Sequence, residues 1–501
     1  MRTYIAALIL PVILAGPVAA QEGTVNLTLK EAVRQAIERN LDVKAELYNP
    51  ASFEADIRKY RGIYDTTLTL STTYQDSTTL PASTFVSGGS ATNEQQVFKI
   101  NPGANQLLPT GGTVGLTFNN TYDHNNASTS GFMTSYWQSD VTLSLSQPLL
   151  QNFGRETTEL NISISQYGKE GALEQFKSKL LDIISQVRTQ YFQLHSLREN
   201  LEVKKTALSL AEKILNDTQA QVKAGVLPAM EILNAQFSVA TRQKDLIDAE
   251  RTLKDQSDAL RLLLQMPGKD DIIPVDPLAS DKYPVDETAE IQRAISSRPD
   301  LQQLRSTVKS NDLQARVARN QTLPSLNLTS SVAFTGLAPT YSRDIDRVAS
   351  TDYPVWGAGL QFSYPLGNNA AENTYIKSKL KLEQSRTQEK SLEESVTNDV
   401  KTAVRAIQSS YKQLEVTERG KSYAEEVLQA YIKKQKVGLA TSKDVMDSLN
   451  NLVTAKGNRI QALSDYNNAI NQLWKATGEL LDREGISVSQ KDADALYGQF
   501  R

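Results

Sequence analysis

The 501-residue chain has no cysteine and two histidines, His124 and His195. Without thiols there is no disulfide framework, no thiolate metal site and no attachment point for a lipid. Two histidines cannot build a metal or catalytic cluster, and no nucleophile–base–orienter set is visible. The chain therefore reads as a non-enzyme that needs no metal or other cofactor. A formal net charge of -3 argues against a nucleic-acid partner. Long apolar runs are also missing: beyond the first residues no stretch of about 18 exists, which excludes a transmembrane helix but not barrel strands, whose signal is about ten alternating residues.

What is present begins with "MRTYIAALILPVILAGPVAA", a basic start, a short apolar run and small residues. It reads as a secretory signal peptide over residues 1–20, cut after Ala20. Proline and glycine are absent between Gly171 and Gly225, and Gly420 is the sole interruption between Gly367 and Gly438. Within the first stretch Leu180, Ile184, Val187, Tyr191, Leu194, Leu201, Leu208 and Leu215 recur at heptad-like spacing. That spacing suits helices packed side by side. Roughly 60 to 70 helical residues reach about 100 Å, too long for the interior of one globule.

The chain matches itself when shifted by about half its length. Ala36, Ile37, Arg58, Arg61, Leu68 and Leu70 align with Ala294, Ile295, Arg316, Arg319, Leu326 and Leu328. "KAGVLPAMEILNAQ" from Lys223 corresponds to "KVGLATSKDVMDSLN" from Lys436, and "SQPLL" at Ser146 to "SYPL" at Ser363. Three ordered matches indicate an internal duplication. The first copy spans 21–285, with strands at 65–76 and 133–148 and a tip at 222–230. The second spans 286–485, with strands at 325–335 and 354–364 and a tip at 435–443. Residues 486–501 form a C-terminal tail.

The strands alternate. Leu68, Leu70 and Tyr74 oppose threonines and serines, and Trp137, Val141, Leu143 and Leu145 oppose Gln138, Asp140, Thr142 and Ser144. Trp356, Leu360, Phe362 and Tyr364 share a phase in the last strand. An apolar face, a polar face almost wholly of Thr, Ser, Asn and Gln, and aromatics near strand ends suit lipid on one side and a wet lumen on the other. Tyr74, Trp137, Trp356 and Tyr364 are the candidate membrane-interface aromatics. The segments "PASTFVSGGSATNEQQ" and "GLAPTYSRDIDRVASTDYP" read as solvent-facing loops. Val114 to Tyr122 also alternates; it is read as an extended extracellular hairpin, with an additional barrel strand pair as the competing reading. One chain has too few strands to close around a channel, and lipid tolerates no open edge, so several chains must share a barrel.

With its leader, its duplication, "LTLKEAVRQAIERN" (Leu27 to Asn40), "RPDL" (Arg298 to Leu301), both "PL" junctions and "YNNAINQLWKATGEL" (Tyr466 to Leu480), the chain resembles the TolC family of outer-membrane efflux proteins. The resemblance implies a mainly α fold carrying a membrane β-barrel. Long antiparallel helices form a barrel continuous with a homotrimeric β-barrel of about twelve strands, four per chain. It implies an outer-membrane location extending into the periplasm, contact with outer-membrane lipid, and a passive exit duct for tripartite efflux or type I secretion. The partners implied are a periplasmic adaptor and an inner-membrane pump of RND, ABC or MFS type. A structural or adhesive coiled coil with a barrel anchor is the alternative.

At the tips, Gly225 and Gly438 supply unusual backbone angles, and Ser442 is placed to cap the returning helix. Asp444 and Asp447, three apart, share a helix face. The resemblance implies that they line the constriction, six carboxylates in a trimer, with Glu231 at the matching first-copy position. Two such charges about 8 Å apart repel by roughly 2 kcal/mol at an effective dielectric near 20. The family's locking arginine is replaced by Ala440, leaving Lys436 and Lys443 as nearby cations and a Lys443–Glu231 pair as a conceivable link. Gly225, Val226, Val437, Gly438 and Leu439 are the implied adaptor contacts.

Overall fold

The computed structural model describes residues 23–80, 92–126, 133–268 and 270–500; the expected leader lies outside them. In chain order the elements are β1 (Thr24–Leu27), α1 (Leu29–Arg39), α2 (Leu41–Arg61), β2 (Thr67–Thr79), β3 (Asn93–Leu107), β4 (Thr113–Asn125) and β5 (Ser135–Pro148). Next come α3 (Arg155–Thr158), α4 (Leu160–Lys223), α5 (Met230–Leu264), β6 (Asp271–Pro274), α6 (Glu287–Ser297), α7 (Pro299–Asn320), β7 (Ser325–Ala338), α8 (Tyr341–Ser350) and β8 (Pro354–Ser363). The chain ends with α9 (Asn369–Lys436), α10 (Ser442–Thr477), α11 (Leu480–Arg483) and α12 (Gln490–Gln499). Among the described residues no helix is long and apolar enough to cross a membrane.

Two compact units divide the chain. The first comprises Met1–Lys44, Ser178–Arg298 and Val396–Ser487. Its core packs Ala207, Ala211 and Ile214 of α4 and Ala235 of α5 against Leu428 of α9 and Val445, Met446, Leu449, Leu452 and Val453 of α10. Alanines at those contacts let helix backbones approach closely, and the larger side chains fill the remaining space. A short parallel pair, β1 with β6, lies in the same unit. Tyr191, fully buried on α4, fastens that pair: its hydroxyl donates to the Leu27 carbonyl at 3.0 Å. The same oxygen accepts from the backbone N–H groups of Val275 and Asp276, both at 3.1 Å. Burial pushes the Tyr191 hydroxyl up to about 12. On α10, Tyr466 plays a similar part, accepting from Tyr283 N–H and donating to the Asp281 carbonyl.

The second unit comprises Ala45–Lys177, Pro299–Ser395 and Val488–Arg501. It holds an antiparallel sheet of six strands in the order β2-β3-β4-β5-β7-β8. Four strands come from the first half of the chain, which corrects the expectation of two. The extended extracellular hairpin is overturned as well. β3 and β4 lie in the plane of the sheet, paired with each other and on both outer sides to β2 and β5. The turn joining them, 108–112, lies at the end of the sheet where the strands join the helices. There Gly154 N–H donates to the Thr110 carbonyl at 3.0 Å, and Thr110 bonds Gln147 at 2.6 Å. Gly111 holds φ +87°, and a Cβ there would meet the Asn152 carbonyl at 2.5 Å.

All six strands share one pair of faces. A single register row reads Leu68, Ala104, Leu116, Leu143, Val332, Trp356, and another Phe118, Val141, Phe334, Pro354. The opposite face presents Thr69, Gly103, Thr117, Thr142 and Ala333. The rows slant, since Leu68 is the second residue of β2 while Trp356 is the third of the oppositely running β8. Such stagger is what tilted barrel strands require.

The segment 339–353 is not a plain loop. Its middle forms α8, which packs on β7 and β5 through Asp344 and Val348. A Cβ at Gly336 would meet the Asp344 carbonyl at 2.3 Å, so glycine is what admits the helix there. The other loop, 81–96, falls largely outside the described residues, and its last four positions belong to β3. The tail also has structure. In α12 Asp494 meets Lys169 of α4 at 2.5 Å, and Arg58 of α2 stacks on Tyr497 at 4.6 Å.

Candidate functional site: the helical tips

Both tips end their long helix the same way. Gly225 N–H donates to the Val222 carbonyl at 3.0 Å and Val226 N–H to the Gln221 carbonyl at 2.9 Å. Gly438 and Leu439 repeat this with Gln435 at 3.0 Å and Lys434 at 2.9 Å. These paired bonds are the Schellman termination, which needs a left-handed residue; Gly225 and Gly438 sit at φ +74° and +76°. The turns leave apolar side chains in the open: Val226 is 65% exposed, Val437 69% and Leu439 77%.

The returning helix α10 starts differently from the sequence expectation. Thr441, extended at φ -86°, ψ 162°, is the N-cap, and Ser442 is the first helical residue. A reciprocal box forms: Asp444 N–H donates to Thr441 Oγ1 at 3.2 Å, and Asp444 Oδ2 accepts from Thr441 N–H at 2.9 Å and its hydroxyl at 2.7 Å. The Thr441 backbone bond, then the hydroxyl bond, hold the Asp444 carboxyl below its ordinary value. One oxygen of Asp444 is thus committed to starting the helix.

Ser442 is buried and does other work. Its hydroxyl lies 3.0 Å from Thr218 of α4 and accepts from Gln435 of α9 at 3.1 Å, joining three helices. Thr218 escaped the sequence reading, although a polar residue in phase with the apolar heptad positions was a usable signal.

Asp447 is exposed, as is Lys443, and Asn450, Asn451 and Thr454 continue that open face of α10 while Val445, Met446 and Leu449 point into the core. Glu231 is half-buried at the start of α5, and its Oε2 has no partner among the described residues. No ion pair joins Lys443 to Glu231 there. The tip therefore brings Asp444 and Asp447 to neighbouring turns of α10 and gives them unlike surroundings.

Two apolar stripes in this unit stand uncovered among the described residues. Met230, Leu233, Phe237 and Ile247 stand out from α5, each at least 65% exposed, and Val416, Tyr423 and Val427 stand out from α9. By contrast, a charged groove of about 440 Å³ between α4, α9 and α10 is already neutralised internally. Arg459 meets Glu418 at 2.8 Å, and Lys456 meets Glu425 at 3.2 Å.

The four aromatics lie in the sheet unit. Tyr74 pairs across strands with Phe98, Phe98 with Tyr122 and Tyr122 with Trp137, forming an aromatic row. Trp137 is half-buried between Tyr122 at 5.1 Å and Tyr341 of α8 at 4.9 Å. Trp356 is 78% exposed and Tyr364 also exposed, at opposite ends of the β8 edge.

The sequence profile of the outer membrane efflux protein family matches residues 113–264 and 291–479. The outer membrane efflux protein BepC of Brucella suis biovar 1 (strain 1330) is 23% identical over 368 residues, covering 71% of this chain and 76% of BepC. The pyoverdine export outer membrane protein OpmQ of Pseudomonas aeruginosa is 23% identical over 319 residues, 61% of this chain and 64% of OpmQ. Among solved structures, the Campylobacter jejuni CmeC outer membrane channel superposes with a TM-score of 0.63 at 16% identity, covering 94% of this chain and 90% of CmeC.

Proposed function

On the premise that this chain belongs to the outer membrane efflux protein family, channels of the outer membrane that extend into the periplasm, we propose that three copies form a passive exit duct. One observation carries the assembly: a sheet with one apolar and one polar face whose two edge strands, β2 and β8, each have an unpaired side among the described residues. Unpaired N–H and C=O groups are not tolerated in lipid, so each edge needs the edge of another copy. The exposed stripes on α5 and α9 fit the same arrangement, one copy's α5 face meeting the next copy's α9 face. We read the recurring element order and the matching tips as an internal duplication, one tip from each copy.

In this duct the long helices line the periplasmic part. The apolar turns at Val226 and at Val437 to Leu439, with Gly225 and Gly438 holding their shape, offer the surface for a periplasmic adaptor, which couples the duct to an energised inner-membrane pump. Asp447 is the freer of the two constriction carboxylates. It faces an open polar stripe, whereas Asp444 is half-occupied by its cap. Three copies of Asp447 around one axis favour cations.

Reconstitution in planar bilayers tests the reading. Cation-preferring conductance is expected, and Asp447→Asn should weaken the preference while leaving the helix start intact. A protein that conducts nothing would fit a structural or adhesive coiled coil instead. Unchanged ion selectivity in the variant would remove Asp447 from the constriction.

A further inference from the structure

Six strands per chain have a consequence for the exit itself. We infer that the trimer closes eighteen strands rather than twelve, making a wide mouth lined mainly by small polar side chains. The inference rests on the trimeric reading above and adds the strand number and bore.

Three features make β3 and β4 part of the wall. They are hydrogen-bonded within the sheet along most of their length, with β4 pairing to β5 from Thr113↔Ser146 to His124↔Ser135. They obey the same two-faced pattern: Phe98, Ile100, Leu116 and Phe118 fall on the apolar side, and Asn105, Thr117, Asn119 and Thr121 on the polar side. Their connecting turn is bonded to the strand-to-helix junction through Gly154 and Gln147, so the pair starts level with its neighbours. A hairpin standing beyond the membrane would show none of these. The even number also closes correctly. β2 and β8 run in opposite directions, so each seam between copies is an antiparallel pair, the kind of pairing that every other junction in the sheet uses.

The bore follows from strand count. At about 4.8 Å between strands and a tilt near 40°, twelve strands enclose a backbone diameter of about 24 Å and eighteen about 36 Å. Side chains the size of Thr, Ser and Asn take about 5 Å from each wall, leaving an opening of about 14 Å or about 26 Å respectively. The polar face is mainly Thr, Ser, Asn and Gly, and its charged side chains are Lys99, Asp123 and Asp140. Asp140 accepts from Asn119 at 2.9 Å and from Thr142, while Asp123 accepts from Gln95 and Asn125. The solutes such a mouth passes are bulky and hydrated, up to roughly 25 Å across by the same geometry.

The test uses the purified full-length protein and a variant lacking residues 93–125, which removes one antiparallel pair and leaves both edge strands in place. Native mass spectrometry counts chains, cryo-electron microscopy counts strands, and neutral polyethylene glycols of graded size added on the extracellular side measure the mouth. Expected are three chains, eighteen strands and entry of polymers up to roughly 25 Å, with the cutoff falling nearly twofold in the variant. A trimer with twelve strands, or one whose mouth excludes polymers of roughly 15 Å, overturns the inference. A particle of any other chain number overturns the trimeric reading itself. If the variant does not fold, strand count and polymer cutoff of the unaltered protein decide the matter.

Discussion

Replacing Tyr191 by phenylalanine removes one oxygen and keeps the ring. That oxygen serves three backbone groups, and the cost depends on which of them find another partner. Val275 N–H still has the Leu27 carbonyl at 3.2 Å, so the Leu27 carbonyl also stays occupied. Asp276 N–H has no second acceptor among the described residues. One orphaned buried donor costs about 1–3 kcal/mol, which is a roughly 5- to 150-fold rise in the population of a locally opened state. Hydrogen–deuterium exchange over residues 271–283 reads this directly, with the tips as an internal reference that should not change. The pH dependence has a definite sign. The folded hydroxyl titrates at about 12 against 10.0 ordinarily, so its contribution is complete below pH 10 and is lost as pH rises through 12. The phenylalanine variant should show no such loss. Exchange unchanged in 271–283, or faster exchange only at the tips, would refute the role given to Tyr191.

Two further outcomes are expected. Lys169→Met removes the cation that Glu54 meets at 2.9 Å and Asp494 at 2.5 Å, both partly or largely withdrawn from water. Burial alone would raise Glu54, but bonds from Lys169 and Arg58 outweigh it and hold it low. Destabilisation of up to about 3 kcal/mol is expected, read as a lower denaturant midpoint and earlier proteolysis in α12, with partial rescue by Glu54→Gln. The Glu54 contribution should be present above its ordinary value of 4.5 and fade as pH falls below it. Thr441→Ala should cost about 1 kcal/mol through the lost cap and return Asp444 toward its ordinary titration, which carboxyl-carbon NMR would show; an unmoved Asp444 would contradict the box.

The long helices and the tip glycines were legible because each rests on a local rule: unbroken heptad spacing, and a glycine where a helix must end left-handed. The cap was nearly legible. Both Thr441 and Ser442 offer a hydroxyl, but only Thr441 stands three residues before an acid, and that spacing decides the reciprocal bond. β3 was hidden by its own composition. "NEQQ" reads as loop, and Pro102–Gly103 sits in mid-strand where a turn is the ordinary inference. What makes it a strand is pairing to β2 and β4, which no single segment encodes. The four-residue strands β1 and β6 are too short to show a period, and their stability comes from the buried hydroxyl of Tyr191. In α8 the decisive partner is the bare backbone at Gly336, close in sequence to Asp344 but at a spacing that neither a helical nor a strand period singles out.

The placement of β3 and β4 in the interior of the sheet separates two inherited properties. A hairpin gained or lost at that point changes neither the identity nor the direction of β2 and β8, and it touches no residue of the tips. In the proposed trimer, descendants of one ancestral gene can therefore widen or narrow the outlet in steps of two strands per subunit, while keeping the same edge-to-edge neighbours and the same tips. Calibre becomes a trait that drifts or is selected on its own, without renegotiating the rest of the machine.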